Sequence, residues 1–445
     1  MKRNIRNSLR LIIAISFLLS LAGKSVAQVQ GLSDFGIKDF SYGTSASAPT
    51  GQKPQSKLWF QDGIWWGILY NKTTSAFEIY SLDWSSQTWQ STGVLVDSRP
   101  RTSADVLWTG DQLFIASAMN PNLTVPDKKL YVKQFSYDAI SKTYALFSYT
   151  ELWGFAVESV VIDIDTTGTL WATFTDYDQS GVMSVFVAHT QGNQSNWTTP
   201  YVLPISGADN LAVDDISTLV AYNGKIGVLW SNQVTGDVNF AYHLDGAGDD
   251  ATDWTINPAV SGLPNYADDH INIKSLNADS SGQLFAVIKT SLNDTTPLNL
   301  GQPLIVLLIL DNNGSWSRKE VATVAENHTR PIVLIDTQNR QLYVFMTLQY
   351  SPQPNGAIYY KQIDLDDSGA QFPAGIGTPF IEFTTDTHIN NASSTKQVLN
   401  GITDLVVIAG DDDSRYYFHN FMDLQDPEAP PPPPVFNLYL PIVVK

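Results

Sequence analysis

Three of the six histidines in this chain stand at the head of an alternating apolar run. His270 follows Asp268 and Asp269 in "ADDHINIKSL", His328 precedes Arg330 in "ENHTRPIVLI", and His388 leads Asn390 and Lys396 in "DTHINNASSTKQ". An imidazole that titrates near neutral pH can take or deliver a proton, and carboxylates can serve as acid or base. An arginine can clamp a carboxylate or sulfate through paired N–H groups. Equivalent positions ahead of other runs hold Lys57, Asp105, Glu158, Asp214 and Asp215, with Arg99 and Arg101 on a loop leading into one of them. The remaining histidines, His189, His243 and His419, lie on or at the end of different runs and read as surface or strand-edge residues.

The elements that must position these groups are strands. From about Lys53 to Asn420 there is no convincing amphipathic helix, only short β-branched and aromatic runs broken by Asp, Asn, Gly and Ser. Seven pairs of runs read as hairpins: "KLWFQDGIWWGILY", "DVLWTGDQLFIAS", "VVIDIDTTGTLWATF", "TLVAYNGKIGVLW", "IKSLNADSSGQLFAVIKT", "IVLIDTQNRQLYVFMT" and "QVLNGITDLVVIA". Their second strands begin at Ile64, Leu113, Leu170, Ile226, Leu284, Leu342 and Leu405, a period of roughly 57 residues. A third run follows each hairpin, and Trp89, Trp197, Trp254 and Trp316 open a fourth in most units. Four strands repeating at one period predict an all-β fold, a seven-bladed β-propeller of four-stranded antiparallel blades. Six or eight blades, or two β-sandwiches, are the competing architectures, but sandwiches do not require seven similar hairpins at one spacing. The last unit ends on its third run, so "GLSDFGIKDFSYG", Gly31 to Gly43, is expected to supply its outer strand and close the ring. Trp59, Trp65, Trp66, Trp108 and Trp171 then belong to packing between blades rather than to a sugar platform.

In a propeller the innermost strands all run the same way along the central axis, so their starts meet around one mouth. That places His270, His328 and His388 across a shared funnel, with His270, His328 and Arg330 as catalytic candidates and Asp105, Glu158, Asp215, Asp269, His388, Asn390 and Lys396 as substrate-binding candidates. The alternative is that polar groups at strand starts satisfy backbone donors and neighbouring loops around a wet channel.

The units "DDHINIKSLNADSSGQLFAVIKT" and "NHTRPIVLIDTQNRQLYVFMT" resemble those of exported bacterial propellers of the sialidase-like, BNR-repeat superfamily, over most of Lys53 to Asn420. Propellers with similar units include polysaccharide lyases acting on uronic-acid polymers. The resemblance implies that His270 or His328 neutralises the carboxylate or abstracts the adjacent proton, that Arg330 binds the carboxylate, and that one of nineteen tyrosines completes the pair. The sialidase Asp-box, S-x-D-x-G-x-T-W, is absent, and no arginine triad with a tyrosine–glutamate pair can be assembled. Those departures argue against sialidase activity itself.

The two ends differ from the middle. A basic start, an apolar stretch from Leu11 to Ala22 and the small residues Ser25-Val26-Ala27 read as a secretory signal over residues 1–27. No later segment is long and apolar enough to span a bilayer, so a secreted or cell-surface protein is expected. Losing the signal takes Lys+Arg from 26 to 21 against 44 Asp+Glu, moving the net charge from -18 to -23. That charge opposes nucleic acid or an anionic membrane as partner. The chain has no cysteine, which removes disulfides, thiolate metal sites and thiol catalysis. No cofactor or metal is implied by a motif; "HLDGAGDDATDW" and "AGDDDSRY" are acidic turns whose oxygens could hold calcium. The propeller is expected over 28–422, a proline-rich linker over 423–434 and an apolar tail over 435–445. Together these readings describe an exported propeller that binds or cleaves an extracellular carbohydrate at its channel mouth. A non-catalytic scaffold for protein contacts is the alternative.

Overall fold

A computed structural model describes residues 34–51, 53–121, 126–275, 281–350 and 356–425. The signal, the apolar tail and most of the linker expected from the sequence lie outside them. The described strands form seven four-stranded antiparallel sheets, and only three single-turn 3-10 helices interrupt them among the described residues. In chain order the innermost strands are Leu58–Gln61, Thr102–Trp108, Val160–Ile164, Ser217–Tyr222, Ile271–Ser275, His328–Asp336 and Ile389–Ser393. These head blades one to seven. The chain is a seven-bladed β-propeller.

Local chemistry sets the hairpins. Asp62 and Gly63 both take positive φ, 56° and 73°, in the two-residue turn of blade one, and Asn223 and Gly224 do the same in blade four. Asp-Gly and Asn-Gly tolerate that geometry, and its twist matches the flanking strands. The second strand of each blade is covered on both faces by neighbouring blades, so it reads as an unbroken apolar run: Leu170 to Thr175 and Leu284 to Lys289 are buried throughout. Apolar packing accordingly lies between blades rather than within them. One cluster joins Phe114 and Ala116 of blade two to Ile162 and Phe174 of blade three, and another joins Val333 of blade six to Val287 of blade five. Trp59, Trp65, Trp66 and Trp171 are buried in this packing, as expected, and Trp108 is half-buried against Tyr137 and Tyr144.

The ring closes through Ile37–Ser41, which pairs antiparallel with Tyr416–Met422 as the outer strand of blade seven. His419 is fully buried at this seam, its Nδ1 2.9 Å from both carboxylate oxygens of Asp39 and its Nε2 3.1 Å from Gln87 Oε1. The surface expectation for the third-run histidines is therefore corrected. His243 is also buried, its ring 5.0 Å from those of Trp171 and Trp254. His189 pairs with Asp249 at 2.7 Å. Third strands are still covered by the adjacent blade, and position within the unit does not reveal that cover.

Candidate functional site

The starts of the inner strands meet at one end of the channel, called here the near mouth. Its centre is crossed by a segment ahead of blade one. Lys53 donates to Glu158 of blade three at 3.1 Å and to Asp269 of blade five. Gln55 donates through Nε2 to the Val160 carbonyl of blade three, and the Gln55 carbonyl accepts from Ser393 of blade seven. Residues from opposite sides of the ring thus converge, but through a plug that fills the space between them.

On the side of blades three to five the charges are already matched. His270 Nδ1 faces Asp268 and lies 2.5 Å from Asp269, and Lys289 Nζ is 2.5 Å from Asp268. Burial pushes the Asp269 carboxyl up, but the His270 hydrogen bond and the His270 and Lys53 charges outweigh it and hold it well below the carboxylate range. Asp268, Asp269 and His270 each offer a ligand atom within 4.8 Å of the others, the one such grouping among the described residues. Lys53 and Lys289 place two ammonium groups on those same carboxylates, where a cation would sit.

Asp105 and Asp215, expected to bind substrate, are fully buried. Asp105 pairs with Lys396 Nζ at 2.5 Å and accepts from the Ser56 and Ile162 backbone N–H groups at 2.8 Å. Asp215 accepts from the Ala212 and Gln233 N–H groups, and burial pushes its carboxyl up. Both serve the backbone, as the alternative reading of strand-start polar groups has it. Lys396 is likewise committed, to Asp105 and to the Ile162 carbonyl.

His328 is turned into the packing beside Lys361 and is 1% exposed. Burial, reinforced by the Lys361 charge, lowers its pKa to about 4, so it is neutral at physiological pH. The expectation that the three imidazoles face one another is not met. No ring contact or hydrogen bond joins any two of them among the described residues, and a strand's alternating side chains explain why a shared starting height does not impose a shared direction.

Blades six and seven differ. Their inner strands carry β-bulges, between Thr329 and Ile332 and between Asn390 and Ser393, whereas the inner strands of blades one to five pair without register shifts among the described residues. Arg330 sits in the first bulge at φ 50° and Asn391 in the second at φ 57°. A bulge re-aims a side chain out of the ladder, and strained non-glycine backbone of this kind gathers at working sites. Half-buried Arg330 makes no side-chain hydrogen bond to the described residues; Asp412 supplies the charge facing it. Asn390 donates to Asp412 at 3.3 Å and accepts from Thr347 at 3.1 Å. Half-buried His388 is fixed by its backbone, its N–H donating to Asp411 and its carbonyl accepting from Asp412. The acidic turn in "AGDDDSRY" therefore supports this side of the mouth: Asp411 caps the turn through the Asp413 and Ser414 N–H groups.

Several participants were missed from sequence. Lys53 lies in a loop with no periodicity, and Asp412 read as one of three equivalent acids. A tyrosine–glutamate cluster also exists: Tyr350 donates to Glu382, Tyr359 donates to its other oxygen at 3.0 Å, and burial raises the Tyr359 phenol, as it does that of Tyr350. About thirty residues separate Tyr350 from Glu382, and nothing local in the sequence joins them.

No protein-family model matches the chain, and no curated protein matches it. Among solved structures it is similar to the periplasmic gluconolactonase of Pseudomonas aeruginosa, with 12% identity over 85% of this chain and 95% of that one and a TM-score of 0.48. A putative 6-phosphogluconolactonase from Bacteroides uniformis gives 14% identity, 83% and 93% coverage and a TM-score of 0.47. An α-L-arabinofuranosidase from Fusarium graminearum gives 10%, 76% and 98%, and 0.45. Likenesses at this level leave the fold resting on the strand pairing and say nothing of activity.

Proposed function

We propose that this propeller binds an acidic carbohydrate at the near mouth, on the side of blades six and seven, and does not cleave it. Arg330 takes a carboxylate or sulfate, while His388, Asn390 and Asp412 take hydroxyl groups. One observation carries the reading: a half-buried guanidinium in a bulged, positive-φ position that makes no hydrogen bond to the described residues. Such a group is short of partners that a bidentate oxyanion supplies. The lyase chemistry implied by resemblance is left aside, because His328 is buried and neutral and both carboxylates beside His270 are paired.

A screen of immobilised uronate, sulfated and neutral polysaccharides tests it. Binding is expected to acidic members, and Arg330→Gln should weaken it at least about ten-fold, the loss of a charged hydrogen-bonding group. Equal binding by that variant, or binding confined to neutral glycans, contradicts the proposal.

A second reading, a scaffold for protein contacts, is favoured by the outer strand of blade two, Thr143–Trp153. It exposes Leu146, Phe147 and Tyr149 along an edge. Exposed apolar residues on a long edge strand mark a surface that can be covered by another chain.

A further inference from the structure

Past the plug, the far half of the channel is a cavity of about 430 Å³. Leu58, Val106, Val161, Leu219, Ile273 and Val398 wall it, and Pro54 of the plug closes it toward the near mouth. Lys274 and Lys396 reach into this closed end with Asp163. Lys396 is matched by Asp105 at 2.5 Å. Asp163 accepts from the Ala221 and Ile164 backbone N–H groups, both at 2.9 Å. Lys274 has one neutral partner among the described residues, the Thr395 carbonyl at 2.6 Å. A third buried ammonium, Lys57, is held by the Gln55 amide oxygen and the Ala104 carbonyl. Three lysines therefore share two carboxylates in the core of a strongly acidic protein, and a buried ammonium without a counter-ion is costly.

We propose that this cavity binds a small organic anion, a monocarboxylate with an aliphatic or aromatic body, whose carboxylate pairs with Lys274. The apolar wall residues fit the body, and Lys274, the one lysine lining the cavity without a paired carboxylate among the described residues, fits one negative charge. Thr109, Thr218 and Gln397 also line the walls, but a phosphate would want several cationic donors, and only Lys274 and Lys396 supply ammonium groups there, the second already paired with Asp105. The site is separate from Arg330 and does not depend on carbohydrate binding. The charge environment agrees with it: burial lowers the Lys274 pKa to about 7, the Lys396 charge adds to that, and Asp105 and Asp163 oppose it. An anion beside Lys274 favours its ammonium form. Binding above about pH 7 should therefore take up a proton, and affinity should fall as the pH rises from 7 to 9.

Benzoate and its neutral isostere benzamide test this by titration calorimetry on the purified protein. Benzoate is expected to bind at least ten-fold more tightly than benzamide, with proton uptake at pH 8 revealed by buffers of different ionisation enthalpy. Lys274→Met should abolish the preference, and Arg330→Gln should retain it. Should Lys274→Met fail to fold, the wild-type comparison and its proton uptake decide alone. Equal affinity for the two probes, no benzoate binding, no proton uptake, an unchanged preference in Lys274→Met or its loss in Arg330→Gln would each overturn the proposal.

Discussion

Two sides of one mouth carry similar residue types and are built to different ends. Toward blades three to five, the carboxylates of Glu158, Asp268 and Asp269 are matched by Lys53, Lys289 and His270, and the inner strands there run straight. Toward blades six and seven, the strands bulge and Arg330 is left without a hydrogen bond to the described residues. Position in the fold brings polar groups to a rim. Whether they can meet a ligand depends on whether the protein has already satisfied them. On the matched side the carboxylates are spent on cations and, of these groups, only the His270 Nε2 is left without a partner among the described residues, whereas the bulged side leaves a whole guanidinium.

The contrast can be broken from either side. The largest effect is expected at the plug, where Asp105 of blade two holds Ser56, and on stability. Asp105→Ala leaves half-buried Lys396 without its carboxylate and strips the buried Ser56 and Ile162 N–H groups of their acceptor, which should cost about 3 kcal/mol in urea unfolding. A loss below about 1 kcal/mol would mean the plug is not the closed network described. Arg330→Gln should do the reverse, losing acidic-glycan affinity by about ten-fold or more while its unfolding midpoint stays within about 0.5 kcal/mol of wild type.

A pH effect of intermediate size belongs to His328. Its folded pKa, about 4, lies below the unfolded value near 6.5, so the folded state resists protonation. Its contribution is present in full above about pH 6.5 and is lost as pH falls toward 4, by on the order of 3 kcal/mol at most. His328→Leu should flatten the stability profile in that window; an unchanged slope would place the imidazole in water. The smallest effect is expected for Lys53→Gln. It should cost about 1 kcal/mol of stability and leave glycan affinity within two-fold, since its partners Glu158 and Asp269 retain access to solvent. A large affinity loss there would move the ligand to the matched side.

What the sequence made legible follows from the same physics. Second strands such as "LFAVIK" are buried on both faces, which leaves an unbroken apolar run with turns at either side, and repeats of that run reveal the blades. Closure was readable because the last unit lacked an outer strand and "IKDFS" was the spare run ahead of the first. The site was readable only in part. Alternation cannot reveal that His328 turns inward or that Asp105 is spent on two backbone N–H groups. The bulges at Arg330 and Asn391 leave little local trace beyond Pro331 and paired asparagines. The closing seam was half visible: the strand was expected, its buried Asp39–His419 pair was not.

Soaking a crystal of this protein with a short oligouronate tests the central claim most directly. The expected density places a uronate carboxylate on the Arg330 guanidinium, with sugar hydroxyls reaching Asn390 or Asp412. A ligand seated on Asp268, Asp269 and His270, with Lys53 displaced, would contradict the account.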